Sequence, residues 1–210
     1  IGTTAFLEGN GTVDFVGSAA QVVNSNLHTI PETFYNVILD NDFNTSVSNN
    51  LIASGNLEVK TNKILTIAAN DYVRANKKLT NNGNINIANN GQFIQVDETD
   101  TNDGDYSGSN FQISRTAQAK HFDYIYWSAP TENFPVASIP TNNRYEWNTL
   151  YANTNGTQGN WVLPSTTNMT KGRGYIARAS NGAATPTALP ATFIGKPNNG
   201  QFTYPIYRGN

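Results

Sequence analysis

Short stretches of alternating apolar and polar residues recur along the first half of the chain, each opened by a turn rich in asparagine and glycine. Examples are Gly11-Thr12-Val13-Asp14-Phe15-Val16, Gly55-Asn56-Leu57-Glu58-Val59, Lys63-Ile64-Leu65-Thr66-Ile67-Ala68, Gly83-Asn84-Ile85-Asn86-Ile87-Ala88 and Gly91-Gln92-Phe93-Ile94-Gln95-Val96. Alternation with period two is the signature of a strand with one buried face. Asn and Gly between the runs tolerate the left-handed backbone that tight turns need. Helical periodicity is almost absent, because Asn, Gly and Thr interrupt every candidate window.

The spacing of the inward residues predicts how the strands stack. Between 51 and 96 the anchors fall at Leu57, Leu65, Val73, Leu79, Ile85 and Phe93. Every third anchor is 20 to 22 residues on: Leu57 to Leu79, Leu65 to Ile85, Val73 to Phe93. Three short strands per turn and a repeat of this length fit a parallel β-solenoid. In that fold each rung pairs with those above and below and points alternate side chains into a narrow core. The runs 5–16, 20–23 and 34–39 fit the same scheme less regularly. A sandwich of antiparallel hairpins is the competing fold, since Asn-Gly turns suit it equally.

Around residue 97 the regular anchors stop. The segment 97–105 is acidic and free of apolar side chains, and beyond it lie all three tryptophans. Strands are expected at 111–117, 122–127, 174–179, 192–194 and 201–207, longer and more aromatic than before, which suggests an antiparallel sheet. The expected organisation is therefore all-β: a parallel solenoid over 1–97, an acidic linker over 98–110 and an aromatic-rich antiparallel domain over 111–210. The strand-like run close to Asn210, and the start at Ile1, read as a segment of something longer.

Composition sharpens this picture. Only 13% of the 210 residues are charged, with 13 Lys+Arg against 15 Asp+Glu and a net charge of −2, about half the usual ~25%. Asparagine fills the gap with 32 residues, while 11% aromatic residues argue against disorder. Mild acidity without basic clusters argues against nucleic-acid binding. No apolar run reaches the roughly 18 residues of a membrane span. With no cysteine, disulfide scaffolds, thiolate metal sites and cysteine nucleophiles are excluded.

Few residues suggest chemistry. His28 and His121 stand far apart and outside any metal-ligand spacing, and no nucleophile elbow, phosphate loop or dinucleotide fingerprint is present. Asp40 and Asp42 are the one close carboxylate pair of the solenoid half, a spacing that turns also use. No catalytic residue is assigned, and no enzyme is expected. Asp97, Asp100, Asn102, Asp103 and Asp105 could supply several oxygen ligands to calcium, although the EF-hand order fails, with Thr99 and Thr101 where acids belong. Trp147, Tyr151 and Trp161 lie in Asn/Gly/Thr-rich stretches that read as loops. Their rings either anchor those loops or stack on sugar faces. Tyr124, Tyr126 and Phe122 share one face of their strand, and Ile125 and Trp127 the other, so one set is expected in the core.

Three segments resemble a module of large secreted proteins of flavobacteria and their relatives: Tyr124-Ile125-Tyr126-Trp127-Ser128-Ala129-Pro130, Lys171-Gly172-Arg173-Gly174-Tyr175-Ile176-Ala177-Arg178-Ala179, and Phe193-Ile194-Gly195-Lys196-Pro197-Asn198-Asn199-Gly200. The family pattern runs Tyr-Trp-Ser-Ser-Pro, Gly-Lys-Gly-Tyr-Ile-Val-Arg-Ala-Pro and Phe-X-Gly-X-Pro-Asn-Asn-Gly. Here Ala129 replaces the second Ser, Arg173 the Lys, and Ser180 the Pro. The upstream stretch 79–97 also resembles what precedes the module, so the likeness covers roughly 55–205. It implies export by the type IX secretion machinery, a place on the cell surface or in the medium, and no catalytic residues. The expected function is structural or adhesive, with glycans or other surface proteins as partners. The alternatives are the sugar-binding part of a polysaccharide-active enzyme, or such an enzyme itself, and a filament or matrix building block.

Overall fold

The computed structural model describes residues 9–24, 31–96, 106–107, 110–141, 143–179, 185–200, 202–203 and 205. The chain divides into two compact units, Ile1–Ile113 with Asn199–Gln201, and Ser114–Asn198 with Phe202–Asn210.

The first unit is a parallel β-solenoid of about four turns. Its strands come in threes: β1 (Thr12–Gly17), β2 (Gln21–Asn24) and β3 (Glu32–Phe34), then β4 (Asn36–Asn41), β5 (Asn44–Ser48) and β6 (Leu51–Ala53). The third turn holds β7 (Leu57–Val59), β8 (Ile64–Ile67) and β9 (Tyr72–Ala75); the fourth holds β10 (Leu79–Asn81), β11 (Asn84–Ile87) and β12 (Gln92–Gln95). Next come β13 (Tyr106–Ser107), paired with β10, and β14 (Phe111–Ala119), whose residues 111–113 pair with β11. Both strands thus extend solenoid sheets from within or just beyond the 98–110 segment read as a linker.

The register is the one the anchor spacing predicts. Leu57 pairs with Leu79, Leu65 with Ile85 and Val73 with Phe93, all in parallel. The antiparallel sandwich is therefore ruled out for this half. Because side chains alternate across a strand, several register rows stack apolar residue on apolar residue in the core. Val37, Leu57 and Leu79 form one buried column; Leu65, Ile85 and Phe111 form a second; Val47, Ile67, Ile87 and Ile113 form a third. At about 2 kcal/mol for each fully buried Leu, Ile or Val, these columns supply the main stabilisation of a rung of some 20 residues.

The corners explain the asparagines. Six of the eight described non-glycine residues with positive φ are Asn49, Asn50, Asn62, Asn70, Asn90 and Asn133. Asparagine side chains also tie rung to rung: Asn36 Oδ1 accepts the backbone N–H of Asn56, and Asn50 Oδ1 accepts that of Tyr72. Asn41 and Asn81 are buried and donate to the carbonyls of Ala19 and Asn110. Asparagine in this chain is thus partly an interior corner residue, besides the turn and surface residue that composition suggests.

The second unit holds β15 (Tyr124–Trp127), a single 3-10 turn at Val136–Ser138, β16 (Asn143–Ala152), β17 (Gln158–Val162), β18 (Tyr175–Arg178) and β19 (Thr187–Gly195). Four of these strands form an antiparallel sheet in the order β15-β18-β16-β17. The expectation of an aromatic-rich antiparallel domain holds. Individual strands differ from expectation. Phe122 has φ 70° and sits in a turn, so its strand starts at Tyr124. Phe202, Thr203 and Pro205 of the expected 201–207 strand are not in a strand.

Candidate functional site: an aromatic cleft

The four-stranded sheet has two unlike faces. On one face Trp127 and Tyr175 are buried in register, followed across the sheet by Glu146. Trp127 and Phe134 both lie against Phe193, with ring centroids 6.3 and 4.3 Å away. Asn198 donates its side-chain amide to the carbonyl of Ala129 and its backbone N–H to that of Pro130. The three segments that carry the family resemblance therefore meet here and hold one core together. Trp127 belongs to the core set, and Tyr124 and Tyr126 to the exposed one.

The other face carries rings. Tyr126, Ile176 and Tyr145 share one register row across β15, β18 and β16. Ile176 is buried among Tyr124, Tyr126, Tyr145 and Trp161, which border a hollow of about 470 Å³. Trp147 on β16 pairs directly with Trp161 on β17; their rings meet edge to face with centroids 5.4 Å apart. Tyr126 stands 6.4 Å from Trp161. Although ring contacts hold these side chains in place, Tyr126 is 74% and Trp147 43% exposed.

Beside this pair lies a cleft of about 780 Å³, lined by Tyr126, Trp147, Trp161, Lys171, Arg173 and Phe202 together with small polar residues such as Asn148, Thr149 and Thr170. The turn 170–174 forms one wall. Arg173 is fixed by an ion pair, Nη1 to Glu146 Oε2 at 3.0 Å. The Glu146 carboxylate, only 4% exposed, also accepts from the backbone N–H and hydroxyl of Ser165. Lys171 places its ammonium over the Phe202 ring, 5.2 Å from the centroid, a cation–π arrangement. A volume in the range of small-ligand sites, apolar rings and a few placed polar groups are the features of a binding cleft.

Of the three aromatic residues singled out in the sequence, the structure brings two together. Trp147 and Trp161 are strand residues of one cleft, not loop residues as their Asn-rich surroundings suggested. Tyr151 is on β16 within the register shift between Asn148 and Ala152, is 44% exposed, and does not line the cleft. Tyr126, Lys171 and Phe202 were not picked out for binding. For Tyr126 the signal was present, because alternation along β15 set it opposite the core residue Trp127. The possible calcium ligands Asp97, Asp100, Asn102, Asp103 and Asp105, and His28, lie outside the described residues. His121 sits in the turn before β15 beside Phe122. Among the described residues no group of three or more His, Cys, Asp or Glu is placed to hold a metal, and no helix is long and apolar enough to cross a membrane.

Asp40 and Asp42 are bridged. Lys63, on the next rung, lies 3.5 Å from Asp40 Oδ1 and donates to Asp42 Oδ1 at 2.5 Å. A lysine between two carboxylates makes an ion-paired corner.

Fold and cleft together define an all-β chain in which a parallel solenoid is followed by an antiparallel unit bearing an exposed aromatic cleft. The chain belongs to the family described as Domain of unknown function (DUF8693), whose model matches residues 19–210. No curated protein and no solved structure matches it.

Proposed function

We propose that this chain is a structural and adhesive segment of a large secreted cell-surface protein, without catalytic activity, exported by the type IX secretion machinery. The observation that carries the adhesive reading is the cleft of Trp147, Trp161 and Tyr126. Rings held by ring contacts on paired strands, yet left substantially exposed, suit recognition of a partner with an apolar face. In this reading the solenoid supplies a stiff element: its rungs are joined by backbone ladders and by side-chain amides such as Asn36. Uncharged polar residues on the outside keep it soluble across a range of ionic strength. The localisation rests on the resemblance of the three motif segments alone.

The same rings support a second reading, the sugar-binding part of a polysaccharide-active enzyme, with adhesion replaced by substrate targeting. A glycan-array and cell-adhesion screen on the intact protein, with and without calcium, tests the adhesive reading. Binding to a surface component supports it. No binding under either condition overturns it and leaves a spacer. Release of shortened glycan chains would instead favour the enzyme. Loss of surface display in cells lacking the type IX machinery tests the export route.

A further inference from the structure

We propose that the cleft binds an acidic polysaccharide, one whose sugar rings carry carboxylate or sulfate groups. The inference rests on the adhesive reading and names the chemistry of its ligand.

A pyranose ring presents a patch of C–H bonds on its face and hydroxyls around its edge. A site for it therefore needs flat apolar surfaces flanked by neutral hydrogen-bonding groups. The cleft offers that combination: ring surfaces at Tyr126, Trp147 and Trp161, with Asn148, Thr149 and Thr170 beside them. Trp147 and Trp161 are inclined at 70° to one another. They therefore form a corner, and present a ring face and a ring edge to the same space. A corner of this kind grips a sugar residue on two sides, whereas a flat apolar sheet would favour only planar stacking.

Charge selects among glycans. The chain as a whole is slightly acidic, at −2, yet the described lining of the cleft contains two cations, Lys171 and Arg173, and no carboxylate. The acid nearest the wall, Glu146, is turned inward and engaged by Arg173 and Ser165. This ion pair fixes Arg173 beside the cleft and leaves the guanidinium's remaining N–H groups as donors; one of them, Nη2, approaches the Trp147 carbonyl at 3.4 Å. A fixed guanidinium and an ammonium beside apolar rings complement a sugar acid. A neutral glucan could accept hydrogen bonds from them but would gain no ion pairing. An acidic peptide would meet the same cations but has no repeating apolar ring face to place in the Trp corner.

The test is titration calorimetry on the intact chain with an oligouronate, a sulfated oligosaccharide, a neutral glucan oligomer and an acidic peptide, at low and at physiological salt. The proposal expects binding to one or both acidic oligosaccharides, weakened by salt, and little to the others. Trp161→Ala should weaken that binding by about tenfold, the effect of one lost ring contact of about 1.4 kcal/mol. Lys171→Gln should weaken the acidic ligand several-fold and flatten its salt dependence. Phe43→Ala, an exposed solenoid substitution, should leave binding unchanged. Since Trp161 packs against Trp147 and its loss could loosen the sheet, each variant's thermal melt is recorded, and Lys171→Gln stands as the independent arm. Equal affinity for the neutral glucan, preference for the peptide, or no effect of Lys171→Gln overturns the acidic-glycan assignment while leaving adhesion standing. Failure to bind any saccharide while the protein still adheres to cells overturns it in the same way. Loss of adhesion as well overturns both readings.

Discussion

Asn36 Oδ1 accepts the backbone N–H of Asn56 at 2.9 Å, and Asn56 lies 20 residues on, at the same corner of the next rung. Asn56 repeats the arrangement, its Oδ1 accepting from the backbone N–H of Lys78 at 3.3 Å. A side-chain amide thus takes over the role of a ladder bond where the strands turn. Asn36→Ala should cost about 1 kcal/mol, the net worth of one such bond. Asn36→Asp, which keeps the acceptor oxygen, should cost less. Urea melts of the intact chain measure both.

The tightest corner approach is at Gly83. A methyl group added there would collide with the backbone carbonyl of Lys63 and stand 2.5 Å from that of Lys60. Neither carbonyl can rotate away, because both belong to the preceding rung. Gly83→Ala should therefore destabilise the solenoid by about 2 kcal/mol or more, in the range of overpacking in a rigid core. Its melt should shift clearly further than that of Gly156→Ala, which has open space around it and meets only the strain of a positive φ, a strain absent at Gly83.

The ion-paired corner at Lys63 gives a pH prediction. The hydrogen bond that Lys63 donates to Asp42 is the main cause that raises the Lys63 pKa, and Asp40 adds to it. Lys60 is raised in the same sense, chiefly by its hydrogen bond to Glu58. A lysine whose pKa is higher in the folded state stabilises that state fully below its ordinary value of 10.5. The contribution is lost as the pH rises through the folded-state value. Wild type should therefore lose its stability advantage over Lys63→Met only above about pH 10.5, and keep it unchanged between pH 6 and 9. Lys63 is half-buried but its partners Asp40 and Asp42 are exposed, so salt should shrink the difference.

Beneath the cleft, Glu146 and Arg173 form the pair in which one partner is almost wholly buried. Removing the guanidinium leaves a buried carboxylate held by Ser165 alone. Arg173→Met should cost about 3 kcal/mol. Replacing both partners, as Glu146→Leu with Arg173→Met, should cost less than the two single losses added together. A double-mutant cycle in urea measures the coupling.

These residues also mark where the sequence was readable and where it was not. In the solenoid the anchors Leu57, Leu65 and Val73 are buried, as their alternating pattern requires, and they located their partners Leu79, Ile85 and Phe93 by spacing alone. Strands β16 and β17 broke that rule. Along Tyr145-Glu146-Trp147 the charged residue is the buried one and the tryptophan is exposed, the reverse of the pattern used to find strands. Glu146 is tolerated inside only because Arg173, 27 residues on, reaches it, and no local pattern encodes that pairing. The Trp147–Trp161 corner was hidden for the same reason: it exists only once β16 and β17 pair. The motif segments were visible, and the structure places Trp127, Tyr175 and Phe193, one from each, in the core.

The most direct test of the account is the adhesion of beads coated with the intact chain to whole cells and to their extracted surface polysaccharides, comparing wild type with Trp161→Ala. The account predicts that wild-type beads adhere, that Trp161→Ala beads detach at much lower shear, and that a soluble acidic oligosaccharide competes. Equal retention of both proteins, or no retention of wild type on any surface, would contradict it.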